Sequence, residues 1–380
     1  VSRALVTGVA SPERRRLGRC GPTPTEELLV RAALLPTELA LDAWRRWCET
    51  ESPRTTDWRS RQILPYVAHH LGDAIGPDAG EVARLQRRRN WADNRLDLAV
   101  LAEAIDALRD VAPDPVVVKG AALVDEVYPP GLRPMGDADL VVGPDAYEAA
   151  IEHLLGAGWQ PIDRVSDRHV SRAAALASPT GRSVDLHRWA AFPRGTRRPD
   201  LGLVARAVPS HRFPGALVLA PADALVLAVV HGPDVTAASS IRWPIDVARL
   251  AAHHTDEPRF WNDVAASARE LGAGRLVGTA LDWCRSDLGL GVDAGWCADL
   301  RADRQGGWVG VEWAVRRRGL PVVGRVRTYV DVSRALGRRP HPVEYARTRW
   351  SLHHESGGIG RFLARRVHRA STTVREFARR

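Results

Sequence analysis

Residues 116–142, VVVKGAALVDEVYPPGLRPMGDADLVV, constrain the fold more than any other stretch of the chain. Val116, Val117 and Val118 form a β-branched apolar run too short for a helix, which predicts a buried strand. A Lys119-Gly120 turn follows, then one or two helical turns over 121–128, then a second strand over 138–142 entered through Asp137-Ala138-Asp139. Strand, turn, short helix and strand make an α/β unit. Lys119 is the only lysine in a chain that otherwise uses arginine for every fixed positive charge, and the only methionine, Met135, lies in the same window. A single lysine among so many arginines points to a need for a compact ammonium group.

Helical patterning surrounds this unit. Residues 1–24, with Arg14-Arg15-Arg16 and several Pro and Gly, read as a poorly ordered leader. A helical region over 25–112 starts with Thr25 as the expected cap and Glu26 and Glu27 in the first turn. Its second helix is expected over 36–48, and a long third one over 80–110, with Arg87-Arg88-Arg89 as solvated surface. The α/β core is assigned to 113–205, with a helix over 145–155 and strands over 159–162, 169–177 and 183–189. A Pro- and Arg-rich link over 193–214 leads into a helical domain, 206–340, with helices near 220–231, 245–254, 258–271 and 275–288. The chain ends in a basic tail, 341–380, where Leu363, Val367, Ala370, Val374 and Phe377 recur at helical spacing opposite a row of arginines. The fold class is therefore α+β: a small mixed β-sheet core flanked by N-terminal and C-terminal helical regions.

Composition limits the function classes. No apolar run is long enough to span a bilayer, and the apolar segment 4–10 is followed by arginines, which argues against a secretory signal. Four widely spaced cysteines without a CxxC pair point to reduced thiols and a cytoplasmic location, not to a disulfide framework or zinc site. The net charge of +9 favours anionic partners such as nucleotides, RNA or acidic lipid, although an Arg- and Ala-rich, Lys-poor composition also follows from GC-biased codon usage. The basic tail has three readings: docking on the protein's own helical domain, binding RNA, or binding an anionic surface.

In a strand, alternate side chains share a face, so Asp137 and Asp139 would project together about 6.5–7 Å apart along the backbone. With a third carboxylate from a neighbouring strand, such a pair binds two Mg²⁺ ions, or Mn²⁺ in their place, about 4 Å apart. Asp185, in Ser183-Val184-Asp185-Leu186-His187, is the candidate third carboxylate, sharing a face with His187 while Val184 and Leu186 turn to the core. Gly120 before a helical turn would expose backbone N–H groups to a phosphate. The nucleotide-binding candidates are Lys119, Gly120, Arg133 and His187. A DxD alone is also compatible with a solvated strand end, so the combination carries the reading.

The segments Val116-Val-Val-Lys-Gly-Ala-Ala-Leu123, Leu132-Arg-Pro-Met-Gly-Asp-Ala-Asp-Leu-Val-Val142 and Val184-Asp-Leu-His187 resemble bacterial nucleotidyltransferases of the DNA polymerase β-like superfamily. The similar branch is poorly characterised and carries a Lys-Gly turn and an Arg-Pro-Met-x-Asp-x-Asp-Leu motif. The resemblance implies that Asp137 and Asp139 ligate metal, that Asp185 completes the site and that Gly120 approaches the phosphates. It departs from the common form at Gly120-Ala121, which supplies neither a second glycine nor a hydroxyl. It extends over roughly 80–260, through His231-Gly232 and Arg242-Trp-Pro-Ile-Asp246. The implied activity is Mg²⁺-dependent transfer of a nucleoside monophosphate from ATP or another NTP to an acceptor hydroxyl. A small molecule, a protein side chain or a tRNA 3′ end would serve as acceptor. Toxin-type relatives with a similar Lys-Gly turn modify tRNA. The alternative is a noncatalytic nucleotide- or partner-binding module on the same fold.

Other chemistries lack their parts. A protein-kinase reading of Val118-Lys119 has no DFG, no HRD-type loop and no Gly-rich loop, and the sole lysine is not in a P-loop. Gly272-Ala-Gly274 reads as a helix break, and His253-His254 and His353-His354 lack zinc spacing. His231 is either a helix-end histidine or a site residue, Asp246 a first-turn acid or a site residue, and Tyr128 and Trp189 either stack a base or pack.

Overall fold

A computed structural model describes residues 11–12, 17, 21–124, 126–162, 172–191, 201–232, 241–303, 330 and 333–334. Helix α1 (Pro24–Leu34) starts where Thr23 accepts the Glu26 backbone N–H through its hydroxyl and Glu26 accepts the Thr23 N–H, a reciprocal cap with Pro24 at the first position. The expected cap, Thr25, lies inside the helix, because the Pro24 ring is already set for the first helical residue. Helix α2 (Thr37–Cys48) buries Ala40, Ala43, Trp44 and Trp47, the two indoles stacked at 5.2 Å. Two short helices unforeseen in the sequence follow, α3 (Trp58–Arg61) and α4 (Leu64–Leu71), and α4 buries Leu64, Tyr66 and Val67. Of the leader, Ser11 donates to Asp287 at 2.8 Å and Leu17 is buried; most of 1–20 lies outside the described residues.

Helix α5 (Pro77–Ala107) begins three residues before the expected start and runs about 46 Å at 1.5 Å per residue. Its length lets it serve both apolar cores. Ala79 and Ala83 join the core of the helical regions, whereas Leu98, Leu101, Ala104 and Ile105 pack under the sheet.

The sheet comprises β1 (Val116–Val118), β2 (Ala138–Val141), β3 (Gln160–Pro161), β4 (Ala173–Ala177), β5 (Ser183–His187), β6 (Val208–Pro209) and β7 (Leu217–Val218), in the order β3-β4-β5-β2-β1-β7-β6. It is mixed: β1 runs antiparallel to β2 and parallel to β7, and β2 runs parallel to β5. Strand periodicity sorts the side chains of β1. Val117 enters the core that α5 shares with α7 (Tyr147–Gly156), and Val116 and Val118 enter the helical core on the other face. Leu140, Val184 and Leu186 follow Val117.

The Pro- and Arg-rich link over 193–214 holds α8 (Leu201–Ala205) and β6, and β7 follows to pair with β1. The C-terminal region then stacks α9 (Pro221–His231), α10 (Trp243–His254), α11 (Phe260–Glu270), α12 (Gly274–Leu288) and α13 (Ala294–Ala302). Its last helix pair is close-packed: a Cβ added to Gly278 would stand 2.8 Å from the Arg301 backbone nitrogen. The architecture is a small mixed sheet flanked by helical regions on both chain sides. The basic tail, 341–380, lies outside the described residues. No helix among the described residues is long and apolar enough to cross a membrane.

Candidate functional site

The site is assembled at the centre of the sheet by register. Asp139 on β2 stands opposite Asp185 on parallel β5 and opposite Val118 on antiparallel β1. Paired residues share a face, and His187, two residues beyond Asp185, shares it too. Asp139, Asp185 and His187 each bring a ligand atom within 4.8 Å of the others, on the face turned toward the C-terminal helices. Val184 and Leu186 lie on the opposite, apolar face.

Asp139 is 2% exposed, so its charge needs partners. Lys119 Nζ forms an ion pair with Asp139 Oδ1, and His187 Nε2 approaches the same oxygen at 2.7 Å. An ionised carboxylate only accepts, so Nε2 carries the hydrogen. Burial alone would raise the Asp139 carboxyl, but the Lys119 ammonium and the His187 hydrogen bond outweigh it and hold the group well below the usual carboxylate range. Burial lowers His187 in turn, against the pull of Asp139. Lys119 caps the four-residue helix α6 (Gly120–Leu123) with φ 56°, a left-handed-side conformation rare for a residue with a side chain. That turn sends the lysine side chain across to β2.

Asp137 immediately precedes β2, which begins at Ala138 as expected. It lines the same cavity as Asp185 and His187, outside the tight group of three. Although Asp137 is open to solvent at the cavity mouth, protein surrounds its carboxylate; burial first and then the negative charge of Asp139 push its carboxyl up.

The loop leading to Asp137 is tied down residue by residue. Arg87 donates to Pro130 O at 3.1 Å, Asn90 to Gly131 O at 3.2 Å and Asn94 to Arg133 O at 2.8 Å. Asn94 also accepts the Met135 N–H at 3.1 Å, and Arg242 donates to Pro134 O at 2.6 Å. Arg133 itself is held in a fork on Asp246, Nε to Oδ1 at 2.8 Å and Nη2 to Oδ2 at 2.9 Å, with Tyr128 donating to Oδ1 at 2.6 Å. Burial disfavours the Asp246 charge, but Arg133 and Tyr128 outweigh it and lower its carboxyl. Gly120 makes room for this arrangement: a Cβ there would stand 2.5 Å from Arg133 Nη1. In the structure, then, Gly120 adjoins the Arg133 guanidinium, and the first partner of Arg133 is Asp246.

These groups surround a cavity of about 380 Å³. Its lining is charged at Lys119, Asp137, Asp185, Arg172 and Arg242 and apolar at Leu219, Leu227, Ala228 and Trp243. His231 also lines the cavity and donates from Nε2 to Ala190 O at 3.1 Å. Although His231 touches solvent through the cavity, enclosure by protein, with Lys119 and Arg172 nearby, lowers its pKa to about 3, so it is neutral. Tyr128 and Trp189 are both buried, and Tyr128 packs edge-on against Tyr66 at 5.8 Å.

Sequence reasoning missed the anchors, Asn90, Asn94 and Arg242, and left Asp246 undecided. The only sequence signal was two asparagines four residues apart on an otherwise Arg-, Ala- and Leu-rich helix. The chain thus presents clustered strand carboxylates, a lysine-glycine turn and a cation-lined cavity large enough for a small molecule. No curated protein and no solved structure matches the chain. Residues 57–289, more than half the chain and including the whole sheet and cavity, match the family described as uncharacterised nucleotidyltransferase, and the chain belongs to that family.

Proposed function

We propose that this protein transfers a nucleoside monophosphate from an NTP to an acceptor hydroxyl and releases pyrophosphate, using Mg²⁺ or Mn²⁺ at Asp137, Asp139 and Asp185. The observation that carries this reading is the register of Asp139 against Asp185, which sets two carboxylates side by side on the cavity face of the sheet. The donor set fits a hard divalent cation. Two carboxylates converge, Asp139 is held ionised, and Asp137 and Asp139 repel each other in a way a cation would relieve. His187 fits as an orienting group instead, since its Nε2 hydrogen is directed at Asp139.

Bound there, the metal would offset charge on the triphosphate and lower the pKa of the attacking hydroxyl. The chain's own residues do the rest by position and charge. The acceptor oxygen bonds to the α-phosphorus, the bond from that phosphorus to the α–β bridging oxygen breaks, and pyrophosphate leaves with the electron pair. Asp185 lies closest to Asp139 in register and is the candidate acceptor for the hydroxyl proton. Lys119, Arg172 and Arg242, which line the cavity, neutralise phosphate oxygens. Arg133 contributes through the loop it clamps, and Gly120 keeps that clamp close. The apolar wall around Trp243 takes the less polar part of a substrate. The acceptor is a small molecule, a protein or a tRNA 3′ end, and the basic tail is a candidate contact for RNA or an anionic surface.

The Lys119–Asp139 pair favours a second reading, a nucleotide-binding module whose metal site is closed by its own lysine. Pyrophosphate release with each NTP and Mg²⁺ separates the two. The enzyme reading expects release by wild type and a loss of about 100-fold or more in Asp137→Asn. NTP binding by wild type without release, with RNA, protein and metabolite fractions all offered as acceptors, would support the module.

A further inference from the structure

Lys119 and His187 both approach Oδ1 of Asp139, so the carboxylate that a divalent cation would need already has an ammonium beside it. Asp139 is nearly fully buried, whereas the Lys119 side chain retains 30% exposure and opens onto the cavity. A buried carboxylate without a counter-ion is costly, so the pair is what keeps Asp139 ionised while the protein is unloaded. An ammonium and a dication held by one carboxylate repel each other strongly. Of the two, the lysine is free to leave: its four-carbon stem is flexible and its head is compact. Its backbone is not free, because the turn at φ 56° and the seat of Gly120 against Arg133 fix where the stem begins. The head therefore swings within the cavity, where Arg172 and Arg242 would also meet a polyphosphate.

We propose that Lys119 is a resident counter-ion that exchanges partners, held by Asp139 in the unloaded protein and by the donor's phosphates once metal enters. This rests on the nucleotidyl-transfer reading above. It makes metal entry and nucleotide entry mutually dependent. Metal alone must evict the lysine into an empty cavity, whereas metal arriving with a triphosphate gives the lysine a new anion. The pair that closes the site against free cations is thus the same pair that opens to metal–nucleotide. A lone arginine there would hold two oxygens in a planar fork and exchange less readily, which fits the use of the chain's one lysine at this position.

The chain's single lysine makes the test direct. Protein labelled with ¹³Cε-lysine gives one lysine ε-methylene signal, and its shift is followed with Mg²⁺ alone, with each of four α,β-methylene NTP analogues alone, and with both. In parallel, Mn²⁺ affinity without nucleotide is measured for wild type and Lys119→Met by electron paramagnetic resonance. The signal should move with Mg²⁺ plus a matching analogue and stay near its unloaded position with the analogue alone. Lys119→Met should bind Mn²⁺ alone about tenfold or more tighter than wild type, since nothing has to be evicted. If metal and analogue bind but the lysine signal does not move, the exchange is refuted and the nucleotidyl-transfer reading stands. Equal or weaker Mn²⁺ binding by a folded Lys119→Met refutes it as well. If neither protein binds Mn²⁺ with or without analogue, the metal site itself is refuted, and the exchange with it. The wild-type signal decides the question alone should Lys119→Met fail to fold.

Discussion

Asp246→Ala is the substitution whose effect the structure defines best. Both members of the Arg133–Asp246 pair keep only 8% of their side-chain exposure, and the pair is closed by two hydrogen bonds of 2.8 and 2.9 Å. Removing Asp246 leaves a buried guanidinium beside Arg242 with its counter-ion gone and Tyr128 without its acceptor. Breaking a buried pair from one side costs about 3–5 kcal/mol, against a total stability of about 5–15 kcal/mol for a typical domain. The double substitution Arg133→Met with Asp246→Leu removes both charges and leaves apolar volume, so it should recover about 1 kcal/mol or more of that loss, the orphaned Tyr128 hydroxyl being common to both variants. Urea unfolding followed by the fluorescence of the 13 tryptophans measures both. A third variant sharpens the cycle. Gly120→Ala should be destabilising alone, because its Cβ meets Arg133 Nη1, and close to neutral in the double-variant background, where that guanidinium is gone. The clamp is refuted if Asp246→Ala costs less than about 1 kcal/mol or if the double variant is no more stable than the single one.

Two further outcomes follow from the site's electrostatics. Lys119→Arg should reduce turnover at least tenfold while moving the urea midpoint little, because arginine keeps the charge but not the compact head; steady-state kinetics beside unfolding curves check this. His231, lowered to about 3, stays neutral in the folded chain while the unfolded chain takes up a proton near pH 6.5, so its contribution is complete above that pH and is lost as pH falls toward 3. Stability should drop by about 1–2 kcal/mol between pH 7 and pH 5, after allowing for the solvent that reaches the ring. Asp139 acts in a lower window, its depressed carboxyl stabilising the fold until pH falls below the ordinary carboxylate range. Urea curves at both pH values for wild type and His231→Asn test this, and an unchanged slope in the variant would refute it.

The local elements were legible where local chemistry decides them. Three valines read as a buried strand, and Asp185 and His187 were placed on one face by strand period alone. What failed was either too short or too distant. Strands of two residues, such as Leu217–Val218, leave no alternation to read, and this one exists because β1 offers it a parallel partner. Helix α4 is eight residues long with a proline at its start and two histidines at its end, too little for a stable periodic signal. Asp137 lies just ahead of the strand expected over 138–142, so strand period alone does not set its direction, and the anchored loop does. The partner of Arg133 lies 113 positions away, and no pattern in either segment announces a pair formed only when the C-terminal helices close over the sheet. The asparagines of α5 belong to the same class: their partners are backbone groups of a distant loop.

The proposed chemistry places nucleotidyl transfer at the carboxylates gathered by β2 and β5. Incubation with α-³²P-labelled NTPs, Mg²⁺ and cell extract as acceptor source tests it most directly, comparing wild type with Asp139→Asn and Asp185→Asn. Label should be covalently retained in one acceptor class with wild type and reduced by about 100-fold or more in both variants. Label transfer that persists unchanged in Asp139→Asn would contradict it, because the chemistry would then reside elsewhere in the chain.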